Sequence, residues 1–193
     1  MKLRTLLIAA SALAAGLPAA EATPINYQGV LVSGVPDSGD VGGFSWFLNE
    51  GSGVDFWQFS ANAGSNITLR VDRLNGNLDP ALSFYRGTTS ADTSAFNSAA
   101  SFGGLTFIGS LDDENPPFVG VGNFSGDPFG TFAIGTTGLY TVAVGGSDST
   151  DPGVYPYRIT MSVNAVNAVP EPSTYLMLAM GIAAIGWMRR RKT

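Results

Sequence analysis

Apolar and polar residues alternate along the middle of the chain with a period of two, which is the spacing of a strand in a half-buried β-sheet. In the clearest run, residues 155–163, the apolar face consists of Tyr155, Tyr157, Ile159, Met161 and Val163. Weaker or shorter runs of strand length occur at residues 44–48, 55–60, 67–71, 81–85, 105–111, 131–134 and 140–144. The pattern predicts an all-β domain of about eight short strands.

Glycine, proline, asparagine and aspartate separate these runs, as is typical of tight turns. The strand spacing is uneven, and long loops at residues 87–104 and 112–130 interrupt it. Both features favour a sandwich over a barrel. We therefore predict a single β-sandwich ectodomain at residues 23–163, with its core at about 44–163 and a linker at 164–169. The first loop is rich in Ser, Thr and Ala and is expected to be mobile.

The N-terminus has the order of segments that is typical of a secretory signal peptide. Lys2 and Arg4 precede an apolar stretch at residues 6–15, and a small-residue triplet follows at 20–22. This order predicts a signal peptide at residues 1–22, which signal peptidase removes. The domain that follows is therefore predicted to be exported.

The C-terminus carries a second apolar stretch at residues 175–188, followed by the basic run Arg189, Arg190, Arg191 and Lys192. A helix of these fourteen residues would be about 21 Å long, against a hydrocarbon core of about 30 Å. The stretch therefore predicts a short and marginal transmembrane helix. Because basic residues stay on the cytoplasmic side, the basic run would leave the domain outside.

Charge and composition exclude several classes of function. Between Thr23 and Val169, four arginines stand against thirteen acidic residues, which gives a net charge of −9. Such a domain repels phosphate backbones, so we predict no nucleic-acid partner. The chain has no cysteine and no histidine, which excludes a disulfide framework, a Ser-His-Asp triad and the usual zinc sites.

The densest acidic group is a candidate calcium site. One turn holds four consecutive oxygen-bearing side chains, those of Asp112, Asp113, Glu114 and Asn115. Calcium takes about six to eight oxygen ligands, and the spacing is not that of an EF-hand. Other carboxylates, such as Asp55, Asp79 or Asp127, would have to complete the shell. The alternative is a solvated acidic loop without an ion.

Exposed aromatic residues could bind sugars by stacking on their rings. Trp46 and Trp57 are the candidates for exposure, although an aromatic residue in an alternating strand more often fills the core. Paired carboxylates could instead catalyse glycoside hydrolysis. No spacing singles out two of them, so we predict that the protein is not an enzyme.

Several short motifs of the domain resemble bacterial pre-peptidase C-terminal domains. They include VDFWQFSA at residues 54–61, LDPALSFY at 78–85, Asp112-Asp113, and GLYTVAV at 138–144. The resemblance implies a jelly-roll-like β-sandwich over about residues 44–163. Domains of this family are accessory modules of secreted proteins.

The C-terminal tail resembles a sorting signal. Pro170-Glu171-Pro172, the apolar stretch and the basic run follow in the order of the PEP-CTERM signal of Gram-negative bacteria, at residues 170–193. The resemblance implies that a membrane-embedded exosortase recognises the triplet, cleaves near it and releases the domain to the cell surface or extracellular matrix. The two prolines keep the triplet extended, which suits binding by a protease.

Proteins with such a signal are associated with exopolysaccharide and biofilm. The main hypothesis for the delivered domain is therefore a structural or binding component of such a matrix, with extracellular polysaccharide as a partner. The first alternative is a calcium-dependent polysaccharide-binding module. The second alternative, from another class, is a carboxylate-based hydrolase.

Overall fold

The computed structural model describes residues 23–115, 126–147, 152–165, 177–182 and 190. Short 3₁₀ helices lie at Gly51–Gly53 and Thr93–Ala95. The strands in this part of the chain are β1 Tyr27–Val30, β2 Pro36–Gly42, β3 Asp55–Ala61, β4 Ser65–Arg73, β5 Pro80–Arg86, β6 Thr106–Leu111, β7 Phe129–Ala133, β8 Gly138–Gly146 and β9 Val154–Ala165.

These strands form two sheets that pack face to face. The five-stranded sheet has the order β1-β3-β8-β5-β6, and the four-stranded sheet has the order β2-β9-β4-β7. Strand β1 pairs with β3 in parallel, and the other pairings of the described strands are antiparallel. The all-β sandwich predicted from the sequence is therefore confirmed.

Apolar side chains from both sheets fill the space between them. The main core includes Trp57, Phe59, Ile67, Leu69, Val71, Leu82, Phe84, Tyr140, Val142, Tyr157, Ile159 and Met161. The rings of Phe59, Phe84 and Tyr140 stack with centroids 5.4 to 5.9 Å apart. Because the inward positions alternate along each strand, the period of two in the sequence correctly predicts which of these side chains lie in the core.

A second apolar cluster covers the opposite face of the five-stranded sheet. Phe56 and Tyr85 point outward from this sheet and pack against Phe96, Phe102 and Leu105 of the following loop region. The ring of Phe96 makes edge contacts with Phe56 and with Phe102, at 5.6 Å in each case. Burial raises the pKa of Tyr85 to about 12. The segment 87–104, expected to be mobile, is therefore a packed cover over the sheet.

Strands β1 and β2 lie before residue 44 and were not predicted. The sequence of β2, PDSGDVG, has a single buried apolar residue, Val41. A Cβ at Gly39 would lie 2.1 Å from Asp55 Oδ2 and 2.7 Å from Tyr157 Oη, so this inward position requires glycine. With Val41 as its one inward apolar side chain, the strand shows no alternation of apolar and polar residues in the sequence. At the other end, β9 continues to Ala165, into the predicted linker.

The strand predicted at residues 44–48 is wrong, because this segment forms turns. The Leu48 amide donates to the Phe44 carbonyl at 2.9 Å, and the Glu50 amide donates to the Ser45 carbonyl at 2.8 Å. Asn49 has a φ of 57°, in the left-handed region. These local backbone hydrogen bonds replace the strand pairing that the aromatic alternation suggested.

The predicted signal peptide, at residues 1–22, and most of the predicted transmembrane helix, at 175–188, lie outside the described residues. Residues 177–182 form a short helix with exposed side chains. In the part of the chain that the structure describes, no helix has the length and apolarity needed to span a membrane.

We predict that Phe96→Ala lowers the free energy of unfolding by about 3–5 kcal/mol, because it leaves a cavity beneath the segment 87–104. Urea denaturation measures this loss. The matched control is Phe47→Ala, at a side chain that is 65% exposed, which should change the free energy by less than about 0.5 kcal/mol. Equal effects of the two substitutions would show that the cover is not part of the cooperative core.

Candidate functional site

Three strand ends meet at one edge of the five-stranded sheet. Because β5 runs antiparallel to both β6 and β8, the residue before β5 lies beside the residues that follow β6 and β8. These residues are Asp79, Asp112 and Ser147. The Ser147 amide donates to the Asp79 carbonyl at 2.7 Å, and its hydroxyl donates to Asp112 Oδ2 at 2.9 Å. The sheet register therefore joins two aspartates that are distant in sequence.

Asp79, Asp112 and Asp113 form a group of three carboxylates, which we call the carboxylate cluster. One oxygen from each lies within 4.8 Å of the other two. Asp79 is buried, Asp112 is half-buried and Asp113 is exposed, so the cluster opens to solvent on one side. Ionised carboxylates this close repel one another unless a proton, a cation or solvent compensates their charge.

Arg73, the last residue of β4, places a buried cation next to the cluster. Its Nε donates to Asp127 Oδ1 at 2.5 Å, and its Nη2 lies 3.3 Å from Asp79 Oδ1. The Nη2 group also donates to the carbonyl of Gly126. Both Arg73 and Asp127 have side chains without exposed surface. Four carboxyl groups therefore lie around this one guanidinium, so acidic groups outnumber the basic group at the site.

Asp112 is the half-buried member of the cluster. Burial raises the pKa of its carboxyl, and the neighbouring charges of Asp113 and Glu114 raise this pKa further. Its Oδ1 is buried and has no hydrogen-bond partner among the described residues. An unpaired carboxylate oxygen is costly to bury, so a proton or a bound cation would stabilise it.

Glu114 and Asn115, also predicted as metal ligands, have structural contacts. Glu114 Oε2 accepts hydrogen bonds from the amides of Asp112 at 3.0 Å and Phe129 at 3.3 Å. The backbone of Asn115 pairs with that of Asp127 through bonds of 3.0 and 2.6 Å. Of the four predicted ligands, the structure thus groups Asp112 and Asp113 with Asp79. Asp79 lies close to them because of the register of the strands.

Trp57 is not exposed, which corrects the expectation that it could stack on a sugar. It is 5% exposed and lies in the main core, where its Nε1 donates to Tyr157 Oη at 2.6 Å. Trp46 is half-buried against the second apolar cluster, and its Nε1 donates to Ser83 Oγ at 2.8 Å. Both indoles are therefore engaged within the domain, because packing of so large an apolar ring stabilises the fold.

The buried chain that begins at Trp57 also engages Asp55. The Tyr157 hydroxyl donates to Asp55 Oδ2 at 2.8 Å, and Gln28 Nε2 donates to Asp55 Oδ1 at 2.5 Å. Burial raises the pKa of both Asp55 and Tyr157. Each Asp55 oxygen accepts a hydrogen bond from a residue of the domain, so this carboxyl has a structural role within the sandwich.

The predicted sorting and orientation residues lie almost entirely outside the described residues. These are Pro170, Glu171, Pro172, Arg189, Arg191 and Lys192. Arg190 is described as an exposed helical residue.

The fold is similar to solved structures at low sequence identity. CorA of Methylomicrobium album BG8, a surface-associated copper-binding protein, has a TM-score of 0.53 and 13% identity, over 72% of this chain and 98% of that one. Aeromonas hydrophila PliG, a periplasmic inhibitor of g-type lysozyme, has a TM-score of 0.44 and 17% identity, over 70% and 96%. The pre-peptidase C-terminal domain of Bacillus anthracis collagenase has a TM-score of 0.38 and 11% identity, over 71% and 97%. The likeness to CorA shows a shared fold.

A comparison of the sequence with curated proteins finds no significant match. The PEP-CTERM protein-sorting motif, in contrast, matches residues 168–192, which confirms the sorting signal inferred from the tail. This motif implies export and processing by an exosortase at the membrane. The chain is therefore an exported protein that carries a PEP-CTERM protein-sorting motif at its C-terminal end.

Proposed function

We propose that the exported domain is a calcium-dependent binding component of the extracellular polysaccharide matrix rather than an enzyme. The observation that carries the proposal is the carboxylate cluster, with its local excess of negative charge and the unpaired Oδ1 of Asp112. Carboxylate oxygens are the ligands that calcium prefers. The exposed side of the cluster would leave coordination positions for water or for the hydroxyl and carboxylate oxygens of a sugar.

The shared fold with copper-binding CorA makes copper the second candidate ion. Copper favours imidazole, thiolate or thioether ligands, and this chain has no histidine and no cysteine. The one methionine of the described sandwich, Met161, is 2% exposed in the main core. The donor set of the cluster consists of oxygen, which supports calcium over copper.

The cluster leads us to expect that Asp112→Asn has opposite effects with and without calcium. In chelator, the substitution should raise the melting temperature, because it removes a partly buried carboxyl group whose ionised form is unfavourable in the fold. With excess calcium, the wild-type domain should gain about 2–3 kcal/mol of stability at 100 times the dissociation constant. The variant should lose most of this gain. Differential scanning calorimetry measures all four conditions.

The sign of the pH dependence follows from the raised pKa of Asp112. A carboxyl whose pKa is higher in the folded state destabilises the fold while it is ionised, so stability without calcium should rise as pH falls through that raised pKa toward the ordinary value of an aspartate. Calcium binding should weaken over the same range, because protons compete for the carboxylate. Glu50→Gln, at an exposed carboxyl, is the control. A melting temperature that is unaffected by calcium would contradict the site.

The matrix-binding role predicts that the domain, residues 23–167, cosediments with the extracellular polysaccharide of the source organism. Calcium should increase the bound fraction, and Asp112→Asn should abolish that increase. The same incubation tests the hydrolase alternative, because release of reducing sugar ends would demonstrate cleavage. Equal sedimentation with and without polysaccharide would contradict the binding role.

The sorting motif gives a separate prediction for delivery. Replacement of Pro170, Glu171 and Pro172 by alanine should trap the unprocessed precursor in the membrane, because the exosortase would no longer recognise its substrate. Immunoblotting of membrane and secreted fractions measures the ratio of precursor to product. A control substitution at Ser173→Ala should leave processing intact. Normal release of the triple variant would contradict the role of the triplet.

A further inference from the structure

The outer face of the four-stranded sheet carries polar side chains in aligned rows. The strand register places Pro36, Thr160, Arg70 and Phe129 side by side across the sheet. The adjacent rows contain Arg158 opposite Asp72, and Thr68 between Ser162 and Thr131. Several of these residues line an open groove of about 400 Å³. The segment 87–104 covers the other sheet, whereas among the described residues this face has an open groove.

Two of the four arginines between Thr23 and Val169 lie in this groove. Both bind the same carboxylate: Arg70 Nε lies 2.6 Å from Asp72 Oδ1, and Arg158 Nη2 lies 2.9 Å from Asp72 Oδ2. The Asp72 side chain is 3% exposed, whereas those of Arg70 and Arg158 are 41% and 34% exposed. Asp72 therefore orients two partly exposed guanidinium groups at the surface. The two groups share this one buried carboxylate, on a strongly acidic domain.

The surroundings of the arginines suit a sugar. Thr68 Oγ1 and Thr131 Oγ1 lie 2.9 Å apart on the exposed face and can exchange hydrogen bonds with hydroxyl groups. Phe129 is 41% exposed and offers an apolar ring beside Arg70. Guanidinium groups bind carboxylates through paired hydrogen bonds, and aromatic rings contact the apolar faces of sugars.

From this arrangement we infer that the groove binds a uronic-acid segment of an acidic polysaccharide. The ligand carboxylate contacts Arg70 and Arg158, the sugar hydroxyls contact the threonines, and the ring face packs on Phe129. This assignment rests on the proposed matrix-binding function and names the class of sugar. The net charge of −9 repels a polyanion at long range, but at about 0.15 M salt the screening length is about 8 Å. The contact with the arginines then outweighs the remote acidic residues.

The test is isothermal titration of the domain with oligogalacturonate in chelator, at about 0.15 M salt. Chelator removes any bridging by calcium, so the result depends on the groove alone. We expect Arg70→Gln to weaken binding about tenfold, through the lost charged hydrogen bonds, and Phe129→Ala to weaken it several-fold. Arg86→Gln, which removes an exposed arginine from the other sheet, should leave the affinity unchanged. Thermal melting verifies that each variant is folded.

Two further probes identify the ligand chemistry. The fully methyl-esterified oligomer has the same backbone without charge and should not bind, and dextran sulfate should bind more weakly than oligogalacturonate. Any one of four results would overturn the assignment. Two concern the oligomers: oligogalacturonate does not bind, or the ester binds equally well. The other two are equal effects of Arg70→Gln and Arg86→Gln, and tighter binding of dextran sulfate than of oligogalacturonate. If the groove assignment is overturned but the native polysaccharide still binds in the presence of calcium, the proposed function remains valid and the polysaccharide binds outside this groove. If oligogalacturonate binds but Asp112→Asn changes nothing, the calcium dependence fails and the groove stands.

Discussion

The buried guanidinium of Arg73 is the interaction on which the arrangement of the candidate site depends. Arg73 is the last residue of β4 in one sheet, and its guanidinium contacts Asp79, just before β5 of the other sheet, and Asp127, just before β7. A charge without exposed surface is tolerated only when its partners are held in place, because breaking such a pair costs several kcal/mol. Arg73 therefore fixes the relative position of the two sheets at the edge where Asp112 and Asp113 lie. Because the buried guanidinium needs partners of opposite charge, several carboxylates lie around it. Their excess over the one cation makes this edge suitable for a divalent ion.

The second constraint is the unequal covering of the two sheets. Segment 87–104 buries the outer face of the five-stranded sheet through Phe96 and Phe102, which gives a chain without disulfides an additional apolar cluster. The four-stranded sheet has no comparable cover among the described residues. Its outer face carries Thr68, Arg70 and Arg158 instead. Stability and recognition are thus assigned to different faces of the sandwich.

The sequence predicts the parts of this molecule that depend on local pattern. Alternation located most strands, and β9 matched its predicted faces from Tyr155 to Met161. It failed for β2, where Gly39 and polar residues occupy the positions that usually carry apolar side chains. It failed again at residues 44–48, where aromatic residues alternate through a series of turns. Trp57 was a candidate for exposure because its local sequence does not reveal the sheet that covers it.

In the candidate site as well, local sequence predicts some of the residues, and the pairing of distant strands determines the others. Asp112 and Asp113 could be found from their acidic run, but Asp79 joins them only through the register of β5 with its neighbours. Glu114 belongs to the run and yet accepts backbone hydrogen bonds. The pairing of Arg70 and Arg158 on Asp72 likewise arises from cross-strand contact between β4 and β9. These contacts arise from pairing between strands that are distant in sequence, so the composition of the chain does not predict them.

The sorting signal and the proposed calcium site fit one physical order of events. An open site with one exposed carboxylate, Asp113, and a neighbouring guanidinium, Arg73, has the character of a weak calcium site. Extracellular modules bind calcium with dissociation constants of about 10⁻⁴–10⁻³ M, which suits the concentration outside the cell. Such a site would stay empty before export and fill afterwards. The domain would then gain stability only after the export that the PEP-CTERM motif implies.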